Sequence, residues 1–212
     1  EAIKPHEVSA LYDFEVAVLL YDQSKSYQPK SNIENRWKAK EAVMICDKIV
    51  STFPNSKGAK KALAFKSEIE KTSLQITTEQ FLPIQKHGRL LIQYKNINSL
   101  QFNIYKLSDT HINQFRKLYR KEEQQTFILG LKPYETWESP LKNENDYQRH
   151  STEIVIPKLD NGRYLVVATL GENNENTFAF SSIQVTNMAL VETETNQSKI
   201  FHNSKLFFCY IL

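Results

Sequence analysis

Glycine and proline are scarce in this chain, 5 and 7 among 212 residues. That excludes collagen-like and low-complexity architectures, which need both in quantity. Cysteine is scarcer still. Cys46 and Cys209 lie far apart and outside any C-x-x-C pairing, so a disulfide scaffold, a zinc knuckle and a thioredoxin-type redox site are unsupported. A cationic surplus is missing too: Lys and Arg number 27 against 24 Asp and Glu. Residues 1–73 carry 12 basic and 10 acidic side chains, and residues 74–212 carry 15 and 14. Neither part has the excess of a protein that grips a phosphate backbone, and no nucleic-acid partner is expected. No uncharged apolar run approaches the roughly 20 residues of a membrane-spanning helix. The best stretch, Asn176 to Val191, is broken by Asn, Thr and Ser. The chain begins at Glu1 with no signal-peptide pattern behind it, so a mature or trimmed chain is expected, any export signal lying upstream.

What is present is an ordinary globular composition, 41% hydrophobic and 24% charged, whose periodicity switches near residue 73. Before it, apolar residues recur at helical spacing. Val8, Leu11, Phe14 (or Glu15) and Val18 mark one face. Trp37, Ala42, Ile45, Ile49 and Phe53 mark a second, and Ala59, Ala62, Leu63 and Ile69 a third. Three helices are predicted, at roughly 7–22, 34–53 and 57–71. Ser31 or Asn32 is the candidate cap of the second, and Ser56 of the third.

After residue 73 the pattern alternates and turns β-branched. Strands are predicted at Leu74–Thr78, Arg89–Tyr94, Leu100–Leu107, Thr126–Leu129, Ser151–Ile156, Arg163–Ala168, Thr177–Val185, Met188–Val191 and Leu206–Leu212. Asn96–Ser99 reads as a turn joining two partner strands. Asp160-Asn161-Gly162 reads as a tight hairpin turn with positive φ at Gly162. His111 to Lys121 fits a short helix on a long loop, and Glu135 to Asn145, which holds Trp137 and Pro140, fits an irregular excursion. Many strands without crossover helices argue for an antiparallel β-sandwich. The predicted class is α+β. A helical segment spans 1–72 and a sandwich 74–187, and the start of a second, incomplete β domain spans 188–212.

Few residues suggest chemistry. His150 and Ser151 are adjacent, with Asp146 and Glu153 nearby, but triad members normally come from separate parts of a fold, and no G-x-S-x-G elbow exists. His6, His87, His111, His150 and His202 are never three to five residues from another His or Cys, so no local metal-ligand spacing arises. No phosphate-cradling glycine loop occurs. The acidic pairs Glu122-Glu123 and Glu192/Glu194 read as solvated charge. Neither a catalytic residue, nor a cofactor, nor a metal site is assigned, and the chain is not expected to be an enzyme. Most of the 24 aromatic residues fall in alternating strands and read as core. Trp137, in a polar stretch, is the exception and the one candidate contact residue, for instance as a platform for a sugar.

Two resemblances sit on these segments. Ala42, Ile45, Ile49-Val50, Phe53-Pro54-Asn55-Ser56 and Ala59 to Ala62 resemble the end of a tetratricopeptide-type repeat, where one helix stops at Phe-Pro and the next starts at once. A second resemblance covers roughly 74–190. It rests on Leu90-Leu91-Ile92-Gln93-Tyr94-Lys95-Asn96-Ile97, Leu100 to Lys106, Asp146 to Glu153, and Ile156 to Val166. This order resembles the N-terminal macroglobulin domain of bacterial α2-macroglobulin-like proteins, particularly of the Bacteroidetes type. The resemblance implies an extracytoplasmic scaffold within a long chain of sandwich domains that traps peptidases. Its partners would be the other domains of that chain and, through the whole protein, peptidases. The family's thioester motif, Cys-Gly-Glu-Gln, does not occur in this sequence, so no catalytic or bait residue carries over. A surface carbohydrate-binding sandwich is the alternative.

Overall fold

The computed structural model describes residues 7–171, 177–195 and 198–205, with side chains described for 8–171 and 177–188. The chain divides into two compact units. The first holds the helices up to Ser73 together with Tyr94–Asn98 and Leu141–His150; the second holds Leu74–Gln93, Ser99–Pro140 and the described residues from Ser151 onward.

The first unit is built on α1 (Glu7–Ser24), α2 (Lys38–Thr52) and α3 (Lys57–Glu70), close to the predicted ranges. Its core is rich in small residues. Ala10, Ala17, Ala42, Cys46, Ile49, Ala59, Ala62 and Ile69 are all buried, with Phe14, Tyr21, Phe53 and Phe65 packed around them. Small side chains let helix backbones approach closely. A Cβ added to Gly58 would lie 2.8 Å from the Ala10 carbonyl carbon, so only glycine fits at this crossing of α3 and α1. Ser56 caps α3 as predicted, its Oγ accepting from the Ala59 N–H at 3.0 Å.

The second helix departs from its expected start. Asn32, at φ 52°, opens a short 3-10 turn (Ile33–Asn35) and makes no side-chain cap bond. α2 begins only at Lys38, again without a side-chain cap. The first helix turns its expected face only partly inward, through Phe14. Ala10 and Ala17 are buried while Val8 and Leu11 are exposed. α1 is apolar on nearly every side, so spacing alone does not single out the inward stripe.

The sandwich of the second unit is made of two sheets. One is three-stranded with order β1 (Ser73–Thr78), β3 (Gly88–Lys95), β6 (His150–Ile156). The other is five-stranded with order β2 (Phe81–Leu82), β8 (Phe178–Val185), β7 (Gly162–Thr169), β4 (Ser99–Leu107), β5 (Glu135–Pro140). The alternation of β3 is strict: Gly88, Leu90, Ile92 and Tyr94 are buried and Arg89, Leu91 and Gln93 exposed. A Cβ on Gly88 would lie 2.5 Å from Leu82 Cδ1, so β2 presses against β3 across the two sheets. The Thr78 and Ser181 hydroxyls, 2.8 Å apart, tie β1 to β8.

In β7 every residue from Tyr164 to Thr169 is buried. Tyr164, Val166 and Ala168 lie on one face with Ile104 and Phe102 of β4. Leu165 and Val167 lie on the other and join Tyr105 and Ile128 in a second cluster. Burial on both faces explains the unbroken apolar run of β7. The cover for the second face is a helical excursion, α4 (Asp109–Phe115) and α5 (Lys121–Leu129), which brings Phe115, Phe127 and Ile128 onto the sheet.

Four expectations change here. Thr126–Leu129 is the end of α5, not a strand; its β-branched and aromatic residues serve a helix that covers a sheet. Part of the expected irregular excursion is an edge strand, β5, paired with β4 from Ser99↔Pro140 to Ile104↔Glu135. The sandwich is not wholly antiparallel, because β2 pairs with β8 in parallel. Neither expected hairpin is one: β3 and β4 lie in different sheets, as do β6 and β7. The Asn161–Gly162 turn is therefore a bend between sheets rather than a hairpin, although Gly162 has the expected positive φ, 158°. In the other expected turn Asn96 is left-handed, at φ 57°, where asparagine is tolerated. Its side chain donates to the Ile69 carbonyl at the end of α3, at 3.2 Å.

After β8, β9 (Met188–Thr195) and β10 (Ser198–Lys205) pair antiparallel with one another as a separate two-stranded sheet. Leu206–Leu212 and Cys209 lie outside the described residues, as does His6.

Candidate functional site

The densest set of charged groups lies in the helical unit, where the 141–150 segment joins the helices. Asp146 is 1% exposed. Its Oδ2 accepts from Arg36 Nε at 3.0 Å. Its Oδ1 lies 2.8 Å from His150 Nε2 and accepts the Gln148 N–H at 3.0 Å. Arg36 also bonds Glu144, which in turn pairs with Lys142 at 2.6 Å. The Gln148 side-chain amide donates to the Arg36 carbonyl at 3.0 Å. Burial pushes the Asp146 carboxyl up, but hydrogen bonds from His150, the Gln148 amide and Arg36 outweigh it and hold the group below the usual carboxylate range.

The backbone of this segment is bent to reach that arrangement. Asn145 and Tyr147 both adopt left-handed φ, 53° and 56°. For tyrosine this costs about 1–2 kcal/mol. Packing of the Tyr147 ring against the helical core offsets that cost. Tyr94 completes the frame: its hydroxyl donates to the Lys142 carbonyl at 2.8 Å, and its ring lies 5.9 Å from that of His150.

Of the four residues that suggested a hydrolase, the structure brings together only Asp146 and His150. Ser151 and Glu153 are exposed, and Glu153 faces Arg89 at 3.4 Å. The Asp146 carboxylate is held by three donors at once. His87 contacts the Ile156 carbonyl at 3.2 Å. His111 caps α4 in a capping box with Ser108. Among the described residues no group of three metal-ligating side chains converges. Glu122 and Glu123 sit in the first turn of α5, where carboxylates favour the helix dipole. Cys46 is buried in the helical core, and burial drives its thiol up to about 11.

Trp137 lies on the edge strand β5. Its ring stacks on Phe102, centroids 5.1 Å apart and planes 18° from parallel. It lines an open groove with Ser99, Gln101, Thr136, Glu138 and Gly171. The ring thus lies on the Phe102 face of the sheet, while Ser99, Gln101, Thr136 and Glu138 alternate to the opposite face.

No family model and no curated protein matches this chain. Among solved structures it is similar to a fragment of Escherichia coli α2-macroglobulin spanning domains MG0-NIE-MG1, at 14% identity and TM-score 0.45. That match covers 64% of this chain and 46% of the fragment, so the chain spans less than half the fragment's length. A shorter fragment, NIE-MG1, matches at 11% identity and TM-score 0.41, over 64% of this chain and 70% of its own. The CARDB domain of the PF1109 protein of Pyrococcus furiosus matches at 16% identity and TM-score 0.31, over 55% of this chain and 93% of its own.

Sequence reasoning missed Arg36, Glu144 and Gln148. Arg36 and Asp146 are 110 positions apart, beyond any local pattern. Among the described residues, no helix is long and apolar enough to cross a membrane.

Proposed function

We propose that this chain is a non-catalytic scaffold and interaction region of an α2-macroglobulin-like peptidase-inhibitor protein outside the cytoplasm. It would work by holding neighbouring domains of a longer chain in place, with any contact to peptidases made by the whole protein. One observation supports this reading: the segments on which the sequence resemblance rests contribute β3, β4, β6 and β7, strands that alternate between two sheets and follow three helices along the chain. β3 and β4 fall in opposite sheets, and the Ile156–Val166 stretch passes from one sheet to the other. The ionisable groups that come closest to catalytic chemistry, Asp146 and His150, are instead bound to each other and to Arg36, which fits a scaffold. No thioester motif occurs among the 212 residues.

The test is the complete reading frame. Further macroglobulin-type sandwich domains downstream, with or without Cys-Gly-Glu-Gln, are expected. A frame holding none overturns the reading. The polar groove at β5 favours a second reading, a carbohydrate-binding module, because Ser99, Gln101, Thr136 and Glu138 offer hydroxyl, amide and carboxylate partners beside Trp137, whose ring itself lies on the Phe102 face of the sheet. A glycan array with the parent and Trp137→Ala separates the two: binding that disappears with the indole supports the second.

A further inference from the structure

α1 carries an outward stripe that nothing in the described structure covers. Leu11, Tyr12 and Leu19 are 38%, 71% and 58% exposed. With Glu15 and Asp22 they recur at three- and four-residue steps, which places them on one face. The opposite face carries the buried Ala10 and Ala17 and the packed Phe14 and Tyr21. A surface helix normally spends its apolar residues on one stripe only; α1 spends them on two.

The charge of α1 specifies what fits. Its sequence, EVSALYDFEVAVLLYDQS, holds four carboxylates and no basic residue. Asp22 pairs with Lys25 at 2.7 Å. Glu15 is exposed and enters no ion pair among the described residues. A second copy of α1 is a poor occupant. Residue 15 is the midpoint between Leu11 and Leu19, so a copy laid on this face in register, parallel or antiparallel, sets one Glu15 against the other. A membrane surface is a poor occupant too, since helices that lie on membranes flank their apolar stripe with Lys and Arg.

We propose that the outer face of α1 docks an amphipathic α-helix of a partner segment, apolar along one stripe and bearing Lys or Arg where it crosses Glu15. The aliphatic and tyrosine side chains would supply the buried contact and Glu15 the orientation and selectivity.

The probe is a fluorescein-labelled, leucine-striped helical peptide with a central lysine, and a twin with glutamate there, titrated into the full chain by fluorescence anisotropy. The lysine peptide is expected to bind at least about tenfold more tightly than the glutamate twin, the scale of one close charge pair. Glu15→Lys should reverse that preference, and Leu19→Asp should abolish both. Leu19 is an exposed position, and an unchanged melting curve for its variant shows that the fold is intact. Equal binding of the two peptides, binding that survives Leu19→Asp, or no binding at about 100 μM overturns the proposal. So does a concentration-dependent dimer that Leu19→Asp dissolves, or adsorption to phosphatidylcholine–phosphatidylserine vesicles in place of peptide.

Discussion

The helical unit and the strand unit bury different things. In the helices the core is made largely of alanine, with Gly58 against Ala10 at one crossing. Little apolar area is gained per residue, and the 141–150 segment is fastened by ionic hydrogen bonds around Asp146. In the strands the core is made of large side chains, Phe102, Ile104, Leu90, Ile92 and Tyr164 among the most buried, and the five-stranded sheet is apolar on both faces. The lesson is that the two units should fail differently. The strand unit should be sensitive to lost volume and indifferent to acid. The helical unit should be sensitive to added volume and to the charge state of one carboxylate.

The largest effect is expected from Phe102→Ala, which empties the centre of the sandwich and removes the stacking partner of Trp137. A loss of about 3–5 kcal/mol in urea unfolding is expected; a loss under about 1 kcal/mol would break the contrast. Asp146→Ala should follow, at about 2–3 kcal/mol. It leaves Arg36 and His150 without their shared acceptor, discounted because both are about a quarter exposed. Hydrogen exchange should place that loss in α1, α2 and the 141–150 segment. Gly58→Val should cost about 1–3 kcal/mol by forcing α3 away from α1, whereas an enlargement on the exposed face of α2, such as Met44→Phe, should cost almost nothing.

The smallest effect is that of acid. The folded Asp146 carboxyl sits below its unfolded value of about 3.9. Its contribution is complete above that value and is lost as pH falls below about 4 toward the folded value. Thermal melts at descending pH should show a steeper decline for the parent than for Asp146→Asn. Parallel curves would remove this carboxylate from the account.

Much of this architecture was legible before any coordinates. The three helices were, because Phe53-Pro54 and Ser56 punctuate them and their core alanines recur at helical steps. So were the strands whose one face is wet, β3 above all. The misreadings share a cause. Phe127 and Ile128 look like strand residues because their partners, Leu165 and Val167, lie nearly 40 positions downstream, and only that contact makes them one side of a covering helix. Alternation says that β3 and β4 are strands but not that they belong to different sheets. Val8 and Leu11 have helical spacing whichever way they point. The Asp146 cluster was half visible, in the four-residue step from Asp146 to His150, while its deciding member, Arg36, enters from another region of the chain. Trp137 stands out in the sequence as an indole among polar residues, whereas its stacking on Phe102 depends on a register that spans more than 30 positions.

Cys46 gives the helical unit a clock. With the thiol raised to about 11, only about one molecule in ten thousand carries the reactive thiolate at neutral pH, and that one is enclosed by the alanine core. Alkylation of Cys46 therefore has to wait for α2 to separate from its neighbours. In a Cys209→Ser background, the rate at which a maleimide reagent finds the remaining sulfur would count those separations one at a time. It would do so without denaturant and at the temperature at which the protein works.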